Sequence, residues 1–433
     1  MARIRPFRGY TYARTSPDIS HLTAPPYDVT SDDQRAALLS RDAHNVVALE
    51  LPEGPLDPSA PGNRYETGRK RWREWRDSAV LVRERVPAIY VLEQRYELDG
   101  REVRRRAFIT EVALHAFDEG VVLPHERTLP KALGDRFNLT RACAANFSQV
   151  FGLYSDPAGV TDRFFEQAMS GVRALTATDA DGVVSEVWPV TDPDTIAALG
   201  RALEHKQVFI ADGHHRYTTA LAYRDERRVA DRSSGATPVD PDYDYVMMAL
   251  INMDDPNLVV LPTHRVVSAP AGFDASAVRA ALAKTFGLSD LSSVDEAPDA
   301  LASASGPAFV VALRGGGSPF LASLRADADL DSLLPMERSR SWKELDVTVL
   351  LELVLDPLFD IHPDRPDTLE RLSFVKDATE AVTATATRDA AFILRSTRMD
   401  QMRAVALAGE TMPQKSTYFY PKLLSGLVLR AMD

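Results

Sequence analysis

A mixed α/β (α+β) protein is what this chain of 433 residues predicts, and three features predict it. Hydrophobic residues make up 45% of the chain, enough to bury a large core, and the length exceeds what one core usually fills. Two β-rich runs flank Asp99-Gly100, a dipeptide that supplies the positive φ angles of a tight hairpin turn. An apolar strand, Gln207 to Ala211, passes through Asp212 to Arg216 into a helical pattern from Tyr217 to about Val229, which makes a strand, loop and helix unit.

From the N-terminus, Thr30 to Ser40 reads as a capped helix. Thr30 or Ser31 can accept from free amides, and Asp32 and Asp33 suit its positive end. Asn45 to Leu51 reads as a strand. Glu53 to Gly62, rich in Pro and Gly, is a surface loop before an Arg-rich helix over about Tyr65 to Asp77 with a solvated face. The hairpin joins Ala88–Leu98 to Arg101–Val112, and a helix over about Asp192 to Glu204 precedes the strand at Gln207. After the polar loop Asp231 to Asp244, the runs Tyr245–Met253 and Asn257–Leu261 read as paired strands around Asp254-Asp255-Pro256. The Ala- and Asp-rich stretch from Ala271 to about Leu330 holds a helix near Asp274 to Thr285 and a hairpin across Gly315-Gly316-Gly317. An apolar helix over Leu345 to Leu355, a short strand over Ala391 to Arg395 and a helix over Asp400 to Ala408, stopped by Gly409, follow. The expected organisation is a main α/β domain over 1–270, a small subdomain over 271–345, and C-terminal helices over 346–433 with a docked tail that returns to the main domain.

Composition narrows the function classes. The single cysteine, Cys143, can form no internal disulfide and cannot by itself build a zinc site, which fits a reducing, cytoplasmic home. The basic start Met1 to Tyr10 is not followed by the apolar core of a signal peptide, and no apolar run is long enough to span a bilayer, so no membrane role is expected. A net charge of -12 disfavours attraction to a phosphate backbone and hence a nucleic-acid partner. A small-molecule substrate is the better expectation. A homo-oligomer is compatible with the sequence, which sets no copy number.

The strongest local signal is Ile210 to Tyr217. It puts a carboxylate (Asp212), two imidazoles (His214, His215) and a guanidinium (Arg216) where a buried strand turns into a helix. Gly213 lets the backbone approach a ligand, the helix start offers unpaired amides and partial positive charge, and Arg216 offers a bidentate fork, a combination that suits phosphate. Asp212 could hold magnesium, which usually takes only one or two protein carboxylates alongside phosphates. The structural alternative is that Asp212 caps the helix, one histidine packs beneath it and Arg216 makes a salt bridge.

Other segments carry candidate chemistry. In Leu123 to Lys131 two prolines keep the backbone out of helix, and Glu126 is a candidate general base, with Lys131, Arg136 and Arg141 near enough in sequence to steady phosphates. Asn146, Phe147 and Ser148 can present an amide and a hydroxyl to a ligand. Leu261 to Arg265 reads as a strand-end binding loop, or equally as a sheet edge with a satisfied His264. The tail Met412 to Lys422 combines lysines, hydroxyls and aromatics. Within it Lys415, Ser416 and Thr417 echo the lysine and hydroxyl pairing found around phosphates, while a docked structural strap explains the aromatics as well.

As a set, Pro25-Pro26-Tyr27-Asp28, Pro124-His125-Glu126, Ala211 to Tyr217, Leu261 to Arg265 and Met412 to Lys422 resemble the bacterial and archaeal family called domain of unknown function 1015, over nearly the whole chain. That family name implies no activity. The Asp-Gly-His-His-Arg element is also similar, over about a dozen residues, to one in the ParB and sulfiredoxin superfamily, which includes free-serine kinases. The resemblance implies a ParB/sulfiredoxin-like nucleotide-binding core with an additional subdomain, bound ATP or ADP with Mg2+, and Asp212, His214, His215 and Arg216 at the nucleotide phosphates. Cys143 lacks a sulfiredoxin setting, and no basic helix-turn-helix supports a DNA-partition role.

The expected function is therefore a nucleotide-dependent phosphotransferase acting on a small hydroxylated metabolite, with serine as one acceptor. Its catalytic set is Glu126, Asp212, His214 and His215. Its nucleotide-binding set is Gly213, Arg216, His125, Arg265, Lys415, Ser416 and Thr417, and Asp212 holds the metal. A non-catalytic nucleotide sensor is one alternative. The other is a metal-dependent hydrolase built on His125, His214, His215 and Asp212.

Overall fold

The structure is a computed structural model that describes residues 2–13, 18–126, 130–270 and 272–432. The chain divides into two compact units. Unit 1 comprises Met1–Pro124, Thr128–Leu258 and Pro421–Asp433; unit 2 comprises His125–Arg127 and Val259–Tyr420.

Unit 1 is built on a nine-stranded mixed sheet. Its strands are β1 (Ile4–Arg5), β2 (Ile89–Leu98), β3 (Arg101–Ala113), β4 (Val122–Leu123), β5 (Val150–Tyr154), β6 (Leu175–Thr178), β7 (Val184–Val190), β8 (Val208–Asp212) and β9 (Tyr245–Asn252). They lie in the order β4-β8-β5-β9-β3-β2-β7-β6, with β1 paired to β3. The β4/β8 and β5/β9 pairs are parallel and the others antiparallel. The β2–β3 hairpin turns as expected, with φ 52 at Asp99 and φ 71 at Gly100, the doubly positive geometry that matches strand twist. Phe108 of β3 stacks on Phe165 at 4.0 Å between ring centroids, in a core that also holds Val150, Ile210 and Met248.

The helices of unit 1 that matter for the site are α1 (Asp32–Arg41), α2 (Val47–Glu50), α3 (Arg64–Asp77), α4 (Pro130–Cys143), α5 (Asp162–Met169), α6 (Pro193–Leu203) and α7 (His214–Ser234). Ser31 closes a capping box on α1: its hydroxyl accepts from Gln34 N at 3.2 Å and Gln34 Oε1 accepts from Ser31 N at 2.9 Å. The strand expected over Asn45 to Leu51 is instead the short helix α2. Asn45 is fully buried, donates to the His21 and Thr23 carbonyls at 2.8 Å and accepts from Val47 N at 2.9 Å, so its side chain pins a turn rather than a ladder. A short, mostly apolar run does not distinguish a buried helical turn from a strand. Pro130 does not exclude helix; it is the first residue of α4, where its missing N–H is no loss. The helix after Gly213 begins at His214, not Tyr217, and runs to Ser234.

Unit 2 holds β10 (Val259–Leu261), β11 (His264–Val267), β12 (Phe286–Asp290), β13 (Ala308–Leu313), β14 (Phe320–Leu324), β15 (Leu372–Val375), β16 (Ala390–Ile393) and β17 (Tyr418–Tyr420). Six of them form an antiparallel sheet, β12-β14-β13-β16-β11-β15, over a core that includes Val266, Val310, Ala391 and Ile393. β10 pairs with β17, not with β9 as expected, while β9 is taken up on both edges by β3 and β5. The hairpin across Gly315 to Gly317 joins β13 to β14, and it shares one sheet with strands drawn from residues 264–267 and 372–393. The expected boundary at residue 270 thus falls inside unit 2, which begins its main stretch at Val259.

The helix expected over Leu345 to Leu355 is α8 (Asp346–Leu350), which widens into a π-helical turn at Leu351–Leu355 before α9 (Asp356–Phe359). Pro357 lacks an N–H and its ring would crowd the carbonyl four residues back in a regular α-helix. The wider turn, with Asp356 N donating to Leu351 O, relieves that crowding.

Candidate functional site

The turn from β8 into α7 is built by three local devices. First, the β8–β5 ladder slips by one residue between Ile210 and Asp212, so that Ala211 is the extra residue of a bulge and Asp212 is re-aimed. Second, Gly213 sits at φ 85, and a Cβ there would lie 2.8 Å from Arg216 Nε. Only glycine meets both conditions without strain. Third, no side chain caps α7, whose first intrahelical bond is Tyr217 N to Gly213 O at 3.0 Å. Asp212 is therefore not the helix cap.

The Asp212 carboxylate serves two cations instead. Its Oδ2 accepts from Arg216 Nη2 at 2.9 Å and its Oδ1 from Lys422 Nζ at 3.0 Å. Burial alone would raise its pKa, but the Lys422 and Arg216 charges outweigh it and hold the carboxyl well below the ordinary range. Arg216 donates a further bond to the Gln149 carbonyl, while its Nε is buried without a hydrogen-bond partner. Lys422 is held in place through its backbone: Gln94 Nε2 donates to its carbonyl at 3.2 Å, and buried Arg105 donates to the carbonyl of Pro421.

Beside this turn lies a cavity of about 40 Å³ lined by Arg136, Thr140, Asn146, Ser148, Arg216 and Thr219 among others. It has room for a phosphoryl-sized group but not for a nucleoside, since one water already needs roughly 10–15 Å³. Thr219 Oγ1, like Arg216 Nε, is buried without a partner. Arg136 is 4% exposed, donates to the Glu50 carbonyl at 2.8 Å and stacks over Tyr27 at 4.2 Å. Tyr27 and Asp28 of the Pro25 to Asp28 motif also act electrostatically on Arg216. Arg136 is already paired with Asp135 and with Glu50, which also lines the cavity. The anion-receptive part of the wall is Arg216, with its unspent Nε, beside Thr219.

The donor set does not fit magnesium as it stands. Both Asp212 oxygens already carry a cation, and a dication there would meet the repulsion of Lys422 and Arg216. Among the described residues no three His, Cys, Asp or Glu side chains are grouped to hold a metal ion. The four-ligand set His125, His214, His215 and Asp212 is not such a group; His125 belongs to unit 2 and the other three to unit 1.

The expected residues thus fall into two groups. Asp212, Gly213, His214, His215 and Arg216 lie in unit 1, with His214 buried and His215 half-buried. Arg136 is in the cavity wall, whereas Arg141 pairs with Glu226 at the surface. The side chain of Lys131 lies outside the described residues, as do Arg127, Thr128 and Leu129. Asn146 and Ser148 line the cavity, but Asn146 Oδ1 also accepts from Arg430 at 3.0 Å and from Met247 N at 3.2 Å.

Glu126, His125, Arg265, Lys415, Ser416 and Thr417 lie together in unit 2. Glu126 Oε1 accepts from Ser416 N at 3.2 Å, and His125 Nε2 bonds Thr417 Oγ1 at 2.9 Å. Ser416 Oγ donates to the Pro413 carbonyl, and buried Arg265 donates to the carbonyls of Thr263, Gln414 and Lys415. Burial pulls the Arg265 guanidinium down to about 10, still charged at neutral pH. These partners fold the Met412 to Thr417 loop, and Lys415, exposed at φ 56, stands at its tip. His264, buried, accepts from Leu394 N at 3.2 Å, the satisfied sheet histidine of the structural alternative. Cys143 is buried in α4 and its thiol is pushed up to about 12, which leaves it protonated and unreactive at neutral pH.

The residue missed in sequence was Lys422. It stood in the tail motif, but the lysine beside two hydroxyls drew the phosphate reading to Lys415. Nothing local marks a contact to a carboxylate 210 positions away.

Fold and site together define a mixed α/β protein with a charged, partly buried strand-to-helix turn. The chain belongs to the family described as "Protein of unknown function (DUF1015)", which matches residues 4–348. A comparison with curated proteins returned no match. Among solved structures, a free serine kinase in complex with AMP matches at TM-score 0.34 and 13% identity, covering 72% of this chain and 86% of that one. A conserved hypothetical protein from Pyrococcus furiosus matches at 0.33 and 13%, covering 73% and 92%. A C-terminally truncated SbnI from Staphylococcus aureus matches at 0.32 and 9%, covering 70% and 82%. Likenesses this remote assign no activity. No helix among the described residues is long and apolar enough to cross a membrane.

Proposed function

We propose that the protein is a nucleotide-dependent phosphotransferase acting on a small hydroxylated metabolite, with free serine the first acceptor to try. The observation that carries the reading is the start of α7. A 21-residue helix opens there without a side-chain cap, beside Lys422 and an Arg216 whose buried Nε has no partner. Such a terminus attracts phosphate through its amides and its partial positive charge, and phosphoryl transfer depends mainly on positioned positive charge. The resemblance of Asp212 to Arg216 to the element of the free-serine kinases points the same way.

In this reading Arg216, with His214 and His215, grips phosphate oxygens, and Asp212 fixes the directions of Arg216 and Lys422. Glu126 is the proposed base for the acceptor hydroxyl. A non-catalytic nucleotide sensor is the second reading. It draws on the pairing of both Asp212 oxygens, which suits an anion site that takes no metal.

Phosphorus NMR with ATP or ADP, magnesium and a panel of hydroxylated amino acids and sugars tests both readings. A phosphomonoester signal that disappears with Asp212→Asn and with Lys422→Met is the expected result. Unchanged nucleotide despite saturable binding would leave the sensor; no nucleotide binding at all would remove both readings.

A further inference from the structure

Unit 2 carries a cavity of about 230 Å³ that none of the chemistry above uses. Its walls include Arg338, Trp342, Leu351, Glu352, His362 and Met412. The π-helical turn Leu351–Leu355 supplies one wall, and such turns recur where a helix must present a side chain to a ligand. Here the presented side chain is Glu352. Its nearest basic neighbour is His362, with Nε2 3.8 Å from Glu352 Oε1, beyond hydrogen-bond distance. Asp364 N donates to His362 Nδ1 at 3.2 Å, which places the proton of the neutral ring on Nε2, facing the carboxylate. Burial raises the Glu352 pKa above the usual carboxylate range, against the opposing pull of His362, as expected for a carboxylate with too little compensation.

The opposite charge is in the same cavity and is also loosely held. Arg338 lies over the Trp342 ring at 4.9 Å, and its closest carboxylate is Glu410 at 3.8 Å. Glu410 is itself engaged by Ser339, which donates to it from both backbone N and Oγ. Trp342 is locked by a bond from Nε1 to the Thr411 carbonyl at 3.1 Å, so the ring under Arg338 is fixed. Arg338 acts electrostatically on Glu352, yet no ion pair joins the two among the described residues. Glu337 and Asp364 also line the cavity, the latter with Oδ2 3.6 Å from His362 Nδ1, but Glu352 and Arg338 are the pair that sense each other across a gap with no ion pair between them among the described residues. A smaller apolar hollow adjoins it, sharing Leu351, Pro363, Pro413 and Gln414 and lined further by Leu355, Leu372 and Phe374.

We propose that this cavity is a binding site for a free α-amino acid with an aliphatic side chain: the ammonium on Glu352, the carboxylate on Arg338 and the side chain toward the apolar hollow. Charge complementarity selects a zwitterion over a simple amine or a simple acid, because either of those would leave one charged wall uncompensated. The volume, about 230 Å³, falls below the about 300–1,000 Å³ of drug-sized pockets, which suits an amino acid better than a nucleotide. The site is independent of the phosphotransfer reading, since it uses none of Asp212, Arg216 or Lys422.

Calorimetric titration of the full chain with alanine, valine, leucine and methionine, each also as its N-acetyl and methyl-ester derivative, tests the proposal. At least one free amino acid should bind saturably, with roughly tenfold or greater weakening when either end is blocked, the loss expected for one charge-assisted hydrogen bond. Glu352→Gln and Arg338→Gln should each weaken binding to a similar extent, while Asp212→Asn should leave it unchanged. Absence of binding by all four amino acids, equal binding of the blocked forms, or affinity unaffected by both cavity variants would overturn the proposal. The blocked ligands decide the matter on the unmodified protein even if a variant folds poorly.

Discussion

Gly213 is the residue on which the geometry of the β8–α7 turn rests, for two separable reasons. Its φ of 85 costs any L side chain about 1–2 kcal/mol. A Cβ there would also push on Arg216, with Nε at 2.8 Å and Cζ at 2.9 Å. Gly235, at the other end of α7, has φ 74 and nothing within 4 Å of its hypothetical Cβ. Gly235→Ala should therefore show the backbone cost alone. Gly213→Ala should lose about 1–2 kcal/mol from strain and, in addition, shift Arg216, loosening its bond to Asp212 and lowering phosphate affinity. Urea unfolding of both variants, with nucleotide binding measured alongside, checks this; equal behaviour of the two would mean that Arg216 yields freely. Local sequence announced this residue and its neighbours, because a glycine set between an apolar strand and a helix marks a backbone turn that side chains tolerate poorly. It was silent on Lys422, since an ion pair across 210 positions is decided by topology and not by any window of residues.

At the scale of elements, what was legible was what is settled within a few residues. Ser31 caps α1 and Asp99-Gly100 turns as expected, and the helices expected from about Asp192 and near Asp274 are present, with those two aspartates as their caps. The buried turn α2, the separation of β9 from β10 and the π-turn before Pro357 were not legible, because burial and pairing partners decide them. Strand β11 supplies a consequence of such burial. His264 accepts from Leu394 N, and burial, reinforced by the Arg265 charge, pulls its pKa down to about 4. Between pH about 6.5 and 4 the unfolded chain binds this proton and the folded chain does not, so stability is full above that window and falls as pH drops through it. The loss is on the order of 3 kcal/mol at most. Denaturation midpoints across this range should slope for the native chain and flatten for His264→Gln, whose amide oxygen can still accept from Leu394; identical slopes would show that some other group is responsible.

At the scale of the whole molecule, chain order and spatial order part company: the last residues, Pro421–Asp433, belong to unit 1 and not to the unit that precedes them in sequence. Arg430, 1% exposed, pairs with Glu111 and donates to Asn146 Oδ1 and the Tyr245 carbonyl, both at 3.0 Å. Leu427, Val428 and Leu429 are fully buried, and Leu423 and Leu424 nearly so. At about 1.5–3 kcal/mol for each buried side chain, these five alone match the roughly 5–15 kcal/mol by which a domain is stable. Ending the chain after Tyr420 should therefore unfold unit 1, leaving Glu111 without Arg430 and removing Lys422 from Asp212. Unit 2 contributes none of these residues and has its own core around Val266, Val310 and Ile393, so it should remain folded. Hydrogen exchange read by mass spectrometry distinguishes the cases: protection should vanish from β2, β3 and β9 while β11, β13 and β16 keep theirs. Loss of protection in both units would mean that unit 2 depends on unit 1 for its fold, and retention in both would mean that the terminal segment is dispensable to the core of unit 1.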